Sequence, residues 1–199
     1  MNRFRILSSW KLHLTLVFFA IFLDQASKIL AVAVLAPTFE NPMGRVVPVF
    51  GDLLRFRLAY NTGAAFSSRP QDLLPFLSPT VFFLVLSVIA TFVLVWFYRS
   101  LKQGDFLARM GIAMIVSGAL GNFADRMRIG KVVDFIDCDF PDFIMERWPT
   151  FNVADCCVTV GVAVVLLSPV FYKFLKYTPT GGRNGQKGTD KKISGEKEN

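Results

Sequence analysis

An all-α membrane protein is the architecture expected of this 199-residue chain. It should have four transmembrane helices, a small extracytoplasmic β-sheet and an extracytoplasmic loop bearing a short helix. Hydrophobic residues make up 53% of the sequence and 21 residues are phenylalanine, which is too apolar for a soluble domain of this length. Four apolar runs approach the roughly 20 residues that a bilayer core demands. The stretches between them change character, from strand-like alternation to turn chemistry to a mixture of acids and aromatics. Residues 1–177 are expected to form one integral membrane domain, and 178–199 a disordered basic tail.

The first run, about Leu12 to Ala36, follows Arg3, Arg5 and Lys11. A cleaved signal peptide has a shorter apolar region, roughly 7–15 residues, and no use for Asp24 and Lys28, so a retained span is expected. Asp24 and Lys28 are four apart and share a helix face, where they can pair in a low-dielectric setting. Their spacing fits a self-neutralising pair that fixes packing, and equally fits participation in a site.

Next, Leu54, Phe56, Leu58 and Tyr60 alternate with Arg55, Arg57 and Ala59, the period of a strand with one buried face. Asn61-Thr62-Gly63-Ala64-Ala65-Phe66-Ser67 then reads as a turn. The second run is about Leu73 to Tyr98 and the third about Phe106 to Phe123, the latter holding Arg109 near its start and small residues near its end. On the third, Gly118, Asn122, Asp125 and Arg126 form one stripe if the helix continues as far as Arg126. The small residue would allow close helix approach, while the amide and guanidinium could bind carbonyls of an extended peptide. Asp125 and Arg126 would serve equally well as a simple helix cap and anchor.

From about Met127 to Thr150, Phe135, Phe140, Phe143 and Trp148 are mixed with acids, as in a segment resting at a membrane interface. Pro141 and Pro149 restrict any helix there to a short piece. The fourth run spans about Val153 to Leu175.

Basic residues set the orientation. Arg3, Arg5, Lys11, Arg99, Lys102, Arg109 and the many cations after Lys173 outnumber those of the two intervening loops, which places both termini in the cytoplasm. The formal net charge of +7 follows largely from this topology and the tail. A tail rich in Gly, Lys, Asn and Ser has little to bury and suits a cytoplasmic segment near anionic lipid, so no nucleic-acid partner is expected. Cys138, Cys156 and Cys157 lack metal-ligand spacing, and the adjacent pair cannot readily close a relaxed disulfide. The only histidine, His13, falls on the cytoplasmic side, so neither a Ser-His triad nor a His-ligated zinc site can form at the outer face.

Two aspartates of the outer side remain. Asp134 is a lone acid within Val132-Val133-Asp134-Phe135-Ile136, where apolar neighbours would raise its pKa. Asp155 lies three residues after Asn152, a good N-cap, so it can complement a helix dipole or act as an ionised base. Spacing alone leaves both residues with structural alternatives.

Taken together these patches resemble the lipoprotein signal peptidases, the signal peptidase II family of bacterial membranes. The resemblance rests on Leu23-Asp24-Gln25-Ala26-Ser27-Lys28, the Asn61–Ser67 segment, Gly118 through Arg126 with Val132-Val133-Asp134-Phe135, and Phe151-Asn152-Val153-Ala154-Asp155, in family order across about 135 residues. It implies a four-helix aspartyl protease of the inner membrane that cleaves a prolipoprotein before a diacylglyceryl-modified cysteine, with its active site near the outer leaflet. Asp134 and Asp155 would be the catalytic pair. Asp24, Lys28, Asn61, Gly118, Asn122, Asp125, Arg126 and Asn152 would support or bind substrate. No cofactor and no metal are expected; the partners would be the lipidated substrate and membrane lipid, with a monomer as the working unit. The alternative is a small proton-coupled transporter relaying protons through Asp24, Lys28 and Asp125.

Overall fold

The computed structural model describes residues 10–63, 78–102, 104–139 and 147–175. Its elements in chain order are helix α1 (Trp10–Leu35), strands β1 (Val46–Phe50) and β2 (Leu54–Asn61), helices α2 (Pro79–Ser100) and α3 (Phe106–Ile129), strand β3 (Val132–Cys138) and helix α4 (Val153–Phe174). All four helices are long and apolar enough to cross a bilayer.

Helix α3 is the hub. It packs on α1, α2 and α4, and it is the most buried of the four although it is the least apolar. Helices normally reach the centre of a membrane bundle by being small-sided, because lipid offers no hydrophobic drive to association. Here Gly111 of α3 meets Gly161 of α4 so closely that a Cβ on Gly111 would stand 2.7 Å from the Gly161 carbonyl. Two turns further along this contact, a Cβ on Gly118 would collide with the carbonyl of Ala154 and stand 2.7 Å from Val158 Cγ2. Gly118→Ala is therefore expected to push the start of α4 away from α3. Overpacking of this kind costs about 1–3 kcal/mol, measurable as a lower unfolding midpoint in micelles.

The expected third span ended at Phe123, but α3 continues to Ile129. Its last turn persists because the polar residues there are bonded within the bundle, and it stops at Gly130, whose φ of 74° permits the left-handed cap that donates its N–H to the Arg126 carbonyl. Arg109, which made the start of this span doubtful as a lipid-facing segment, is buried and engaged with its neighbour. Its guanidinium donates to the Leu101 and Lys102 carbonyls at the end of α2 at 2.6 and 3.1 Å and lies over the Tyr98 ring. There it neutralises the negative end of the α2 dipole. Helix α2 itself begins at Ser78-Pro79, an N-cap followed by a proline that needs no N–H partner, so the stretch expected from Leu73 is helical only from Pro79 within the described residues.

Strands β1, β2 and β3 form an antiparallel sheet in that order. The alternation at Leu54–Tyr60 is borne out as β2, and Asn61 closes it with its Oδ1 accepting the Gly63 N–H at 2.7 Å. The remainder of that turn, Ala64–Ser67, lies outside the described residues, as do residues 140–146 of the loop expected to bear a short helix, and the tail. The loop expected from Met127 to Thr150 differs in kind. Met127–Ile129 complete α3 and Val132–Cys138 form β3, whose first four residues are buried. A strand buried on both faces reads as a continuous apolar run, which hid it from a search for alternation. Phe135 of β3 packs with Ala31 and Leu35 of α1, and Phe56 and Leu58 of β2 join them, seating the sheet on the end of α1.

Candidate active site

Asp134 and Asp155 come together where β3 meets the start of α4. The positions follow from local structure on each side. Gly130 turns the chain sharply out of α3, and the Val133 N–H then bonds Asp125 Oδ2 at 3.1 Å, which pins β3 beside α3 and fixes Asp134 next in line. On the other side Phe151 pairs with Ile136 through backbone bonds of 2.8 and 3.0 Å, delivering Asn152 as the N-cap of α4. A full capping box forms there. Asn152 Oδ1 accepts the Asp155 N–H at 3.0 Å, and Asp155 Oδ2 accepts the Asn152 N–H at 3.1 Å.

Three asparagine amides face the two carboxylates, and each is oriented by a donor on its oxygen. Lys28 can only donate, so its 2.9 Å bond takes Asn122 Oδ1 and turns Asn122 Nδ2 onto Asp155 Oδ1 at 2.8 Å. Asn152 Oδ1 is occupied by the Asp155 N–H, so its Nδ2 points to Asp134 Oδ1 at 2.6 Å, with the Val133 carbonyl and Asn122 Oδ1 at 3.2 and 3.1 Å sharing the second hydrogen. Asn61 Oδ1 is held by Gly63, and its amide also bonds Asp134. The pair is thus clamped by neutral donors rather than by a single counter-ion.

Beneath them lies a buried ionic cluster. Lys28 Nζ stands 2.9 Å from Asp24 Oδ2 and 3.0 Å from Asp125 Oδ2, all three side chains being shut off from solvent. Asp24 Oδ1 also accepts the Ala154 N–H at 2.9 Å, so α1 grips the first turn of α4. Lys28 therefore both balances two acids and orients Asn122. Arg126 stands to one side, its guanidinium over the Phe83 ring at 4.9 Å and its charge acting on Asp155, Asp134 and Asp125.

Asp134 is only 2% exposed. Burial, and secondly the charge of Asp155, push its pKa up from the ordinary 3.8 to about 6, against the opposing pull of the Asn61 and Asn152 amides and Lys28. The sign is testable: the Asp134 carboxyl should hold its proton below about pH 6 and lose it above. In Asp155→Asn the midpoint should fall yet stay above the ordinary aspartate value, because burial is the larger cause. Carboxyl-stretch infrared titration with labelled aspartate reads this, and an unchanged midpoint would remove the electrostatic coupling between the two.

The candidate site residues Asp24, Lys28, Asn61, Gly118, Asn122, Asp125, Arg126, Asp134, Asn152 and Asp155 all lie at this end of the bundle, Gly118 through the close crossing of α3 against Ala154 of α4. Two groups were not foreseen. Gln25 Nε2 bridges Asp24 Oδ2 and the Gly121 carbonyl at 3.0 and 3.1 Å, tying α1 to α3. Asp137, wholly buried on β3, accepts Arg55 Nε at 2.7 Å and Arg147 Nε at 2.8 Å. Burial alone would raise the Asp137 pKa, but the hydrogen bonds from Arg147 and Arg55 hold it below the usual carboxylate value. The cross-strand pairing of Arg55 with Asp137 was the signal available, and it needed the register to be known. Cys138, Cys156 and Cys157 are free thiols, and no cluster of metal-ligating side chains occurs among the described residues.

Comparison with known proteins bears on this arrangement. Residues 16–171 match the family model for signal peptidase (SPase) II. The lipoprotein signal peptidase of Syntrophotalea carbinolica is 35% identical over 164 residues, covering 81% of this chain and 92% of that protein. The lipoprotein signal peptidase of Pseudomonas aeruginosa strain PAO1 is 38% identical over 153 residues, covering 73% and 79%. A solved bacterial membrane enzyme at 28% identity superposes with a TM-score of 0.65, covering 84% of this chain and 92% of its own.

Proposed function

The chain belongs to the signal peptidase II family, and on that premise we propose that Asp134 and Asp155 form an aspartic-type catalytic dyad. The protein is a peptidase that removes signal peptides from prolipoproteins. The finer reading is that it cuts just before a cysteine carrying a diacylglyceryl group. The inner membrane, both termini in the cytoplasm and a dyad near the outer leaflet are the setting of this reading, supported by the balance of basic residues along the sequence.

The observation that carries the dyad is the set of amide donors converging on two carboxylates, at Asp134 Oδ1 and Asp155 Oδ1. Two neighbouring carboxylates resist double ionisation and share one proton. The ionised partner takes a proton from water as it attacks the scissile carbonyl. The protonated partner hydrogen-bonds the carbonyl oxygen and then helps protonate the leaving amine, so the proton is returned within the pair. The raised Asp134 pKa, about 6, supports a proton retained at this centre. Arg126 and Asn61 are placed to bind the extended peptide across this centre. A proton-transport pathway finds no support: among the described residues, Asp24, Lys28, Asp125 and the two aspartates gather at one end instead of crossing the bundle.

The lipid on the substrate has a positional role. Burying an acyl chain gains about 0.8 kcal/mol per CH₂ relative to water, but little when bilayer is the starting medium, so it localises the cysteine more than it tightens binding. Incubating purified protein with a synthetic prolipoprotein, lipidated and unlipidated, tests the reading. Cleavage on the amino side of the lipidated cysteine, resistant to serine-directed reagents and slow without the lipid, is expected. Equal turnover of the unlipidated peptide would overturn the substrate assignment.

A further inference from the structure

Helices α1 and α2 each pack on α3 yet scarcely touch one another. Between them opens a cleft of about 570 Å³, and small-molecule sites commonly occupy roughly 300–1,000 Å³. Its walls are apolar, with Val17, Phe18 and Ile21 from α1, Val95 from α2, and Val116 and Leu120 from α3. It lies away from the dyad: His13, at its polar end, is about 16 Å along α1 from Asp24 at 1.5 Å per residue.

That polar end is built and cationic. His13 Nδ1 and Tyr98 Oη, 2.7 Å apart, join α1 to α2 across its floor, and Arg99 and Trp10 form part of its lining. Lys11 stands over the Trp10 ring and Lys102 follows in the next turn of chain after Arg99. Lys11, Arg99 and Lys102 are all exposed, whereas Arg109 is buried and already bonded to the Leu101 and Lys102 carbonyls. The nearby acid in the described residues is Asp105, whose carboxylate accepts the Lys102 N–H at 3.2 Å. An apolar slot ending in a surplus of free cations has the chemistry of a chain with an anion at its end.

We propose that this cleft binds an anionic diacyl phospholipid, one acyl chain lying between α1 and α2 and the headgroup phosphate held by Arg99 with Lys11 and Lys102. The apolar segment of a signal peptide is the poorer occupant, since such segments carry their own positive charges at the cytoplasmic end and would meet these cations. Under the topology above, the cleft faces the cytoplasmic leaflet, where anionic lipid is attracted by nearby Lys and Arg side chains. A chain lodged there wedges α1 against α2, and α1 carries Asp24 and Lys28, so occupancy registers as stability of the whole bundle.

Native mass spectrometry and thermal unfolding of the full chain in neutral detergent test this, with dioleoyl phosphatidylglycerol and dioleoyl phosphatidylcholine as probes. Phosphatidylglycerol should be retained about 10²-fold better than phosphatidylcholine, the sum of about 1 kcal/mol from each of three cations, and should raise Tm where phosphatidylcholine does not. Arg99→Gln should cut the preference severalfold, and Arg99→Gln combined with Lys11→Gln and Lys102→Gln should bring it close to unity. Val95→Trp, which fills the slot, should abolish retention of both lipids while cleavage of a lipidated prolipoprotein in lipid-free micelles is unaltered. Equal retention of the two lipids by the unaltered protein, or a preference surviving the triple replacement, overturns the proposal. A raised KM with unchanged kcat in Val95→Trp would assign the cleft to the substrate's apolar segment instead. None of these lipid measurements depends on the identity of the catalytic pair.

Discussion

Asp134→Asn and Asp155→Asn are each expected to lower prolipoprotein cleavage by at least about 10³-fold, since positioned acid or base catalysis alone contributes roughly 10²–10⁴ and each residue serves both halves of the reaction. Their stabilities should diverge. Asp134→Asn replaces a buried carboxyl whose pKa in the folded chain is raised to about 6, so ionising it opposes folding increasingly as pH climbs from the ordinary aspartate value through 6. The amide has no such penalty. Asp134→Asn should therefore be at least as stable as the unaltered protein above pH 6 and lose that advantage in acid. Asp155→Asn keeps one oxygen where two are used, one by Asn122 Nδ2 and one by the Asn152 N–H, so it should lose about 1 kcal/mol. A discontinuous gel assay of product with parallel unfolding curves separates the two effects. Near-normal cleavage by either variant would remove the dyad.

Lys28→Met should be the most damaging single change to the folded state. It strips Asp24 of its counter-ion at 2.9 Å and Asp125 of the nearer of its two, at 3.0 Å, leaving Asp125 only the half-exposed Arg128 at 3.4 Å. Removing one partner of a buried ion pair costs about 3–5 kcal/mol. It also frees the Asn122 oxygen, so that amide need no longer present Nδ2 to Asp155, and kcat should fall beyond what the loss of folded protein explains. Lys28→Arg should rescue poorly, because a planar fork cannot place one nitrogen among Asp24, Asp125 and Asn122. Adding Asp24→Asn to Lys28→Met should recover part of the lost stability. Strictly additive costs in that double variant, measured by denaturant titration in micelles, would show that the two side chains are not coupled.

The four helices were legible because apolar length is a local property, and so was β2, whose alternation marks one buried face. β3 was not, since Val132, Val133, Asp134 and Phe135 are all buried and carry no period. The full reach of α3 was hidden as well, for Asp125 and Arg128 look like an exit from the membrane until Lys28 and the Val133 N–H are known to meet Asp125. Within the site, Asp24 with Lys28 and Asn152 with Asp155 could be paired on the page by their spacing of four and three. Which donor each asparagine oxygen accepts from could not, and that orientation is what turns three ordinary amides toward the two carboxylates.

The ionic cluster beneath the site also bears on how the chain enters its membrane. Asp24 has its counter-ion Lys28 one turn along the same helix, and Asp125 has Arg128 at 3.4 Å on its own last turn. The Asp24 and Asp125 charges are thus each compensated within their own helix, which lessens the cost of about 2.5–3.5 kcal/mol that an isolated charge carries at mid-bilayer. Only when α1 and α3 dock does Lys28 reach across to Asp125. Docking thus adds a third ion pair to the two already held within single helices, and it is this same contact that brings Lys28 to the Asn122 oxygen.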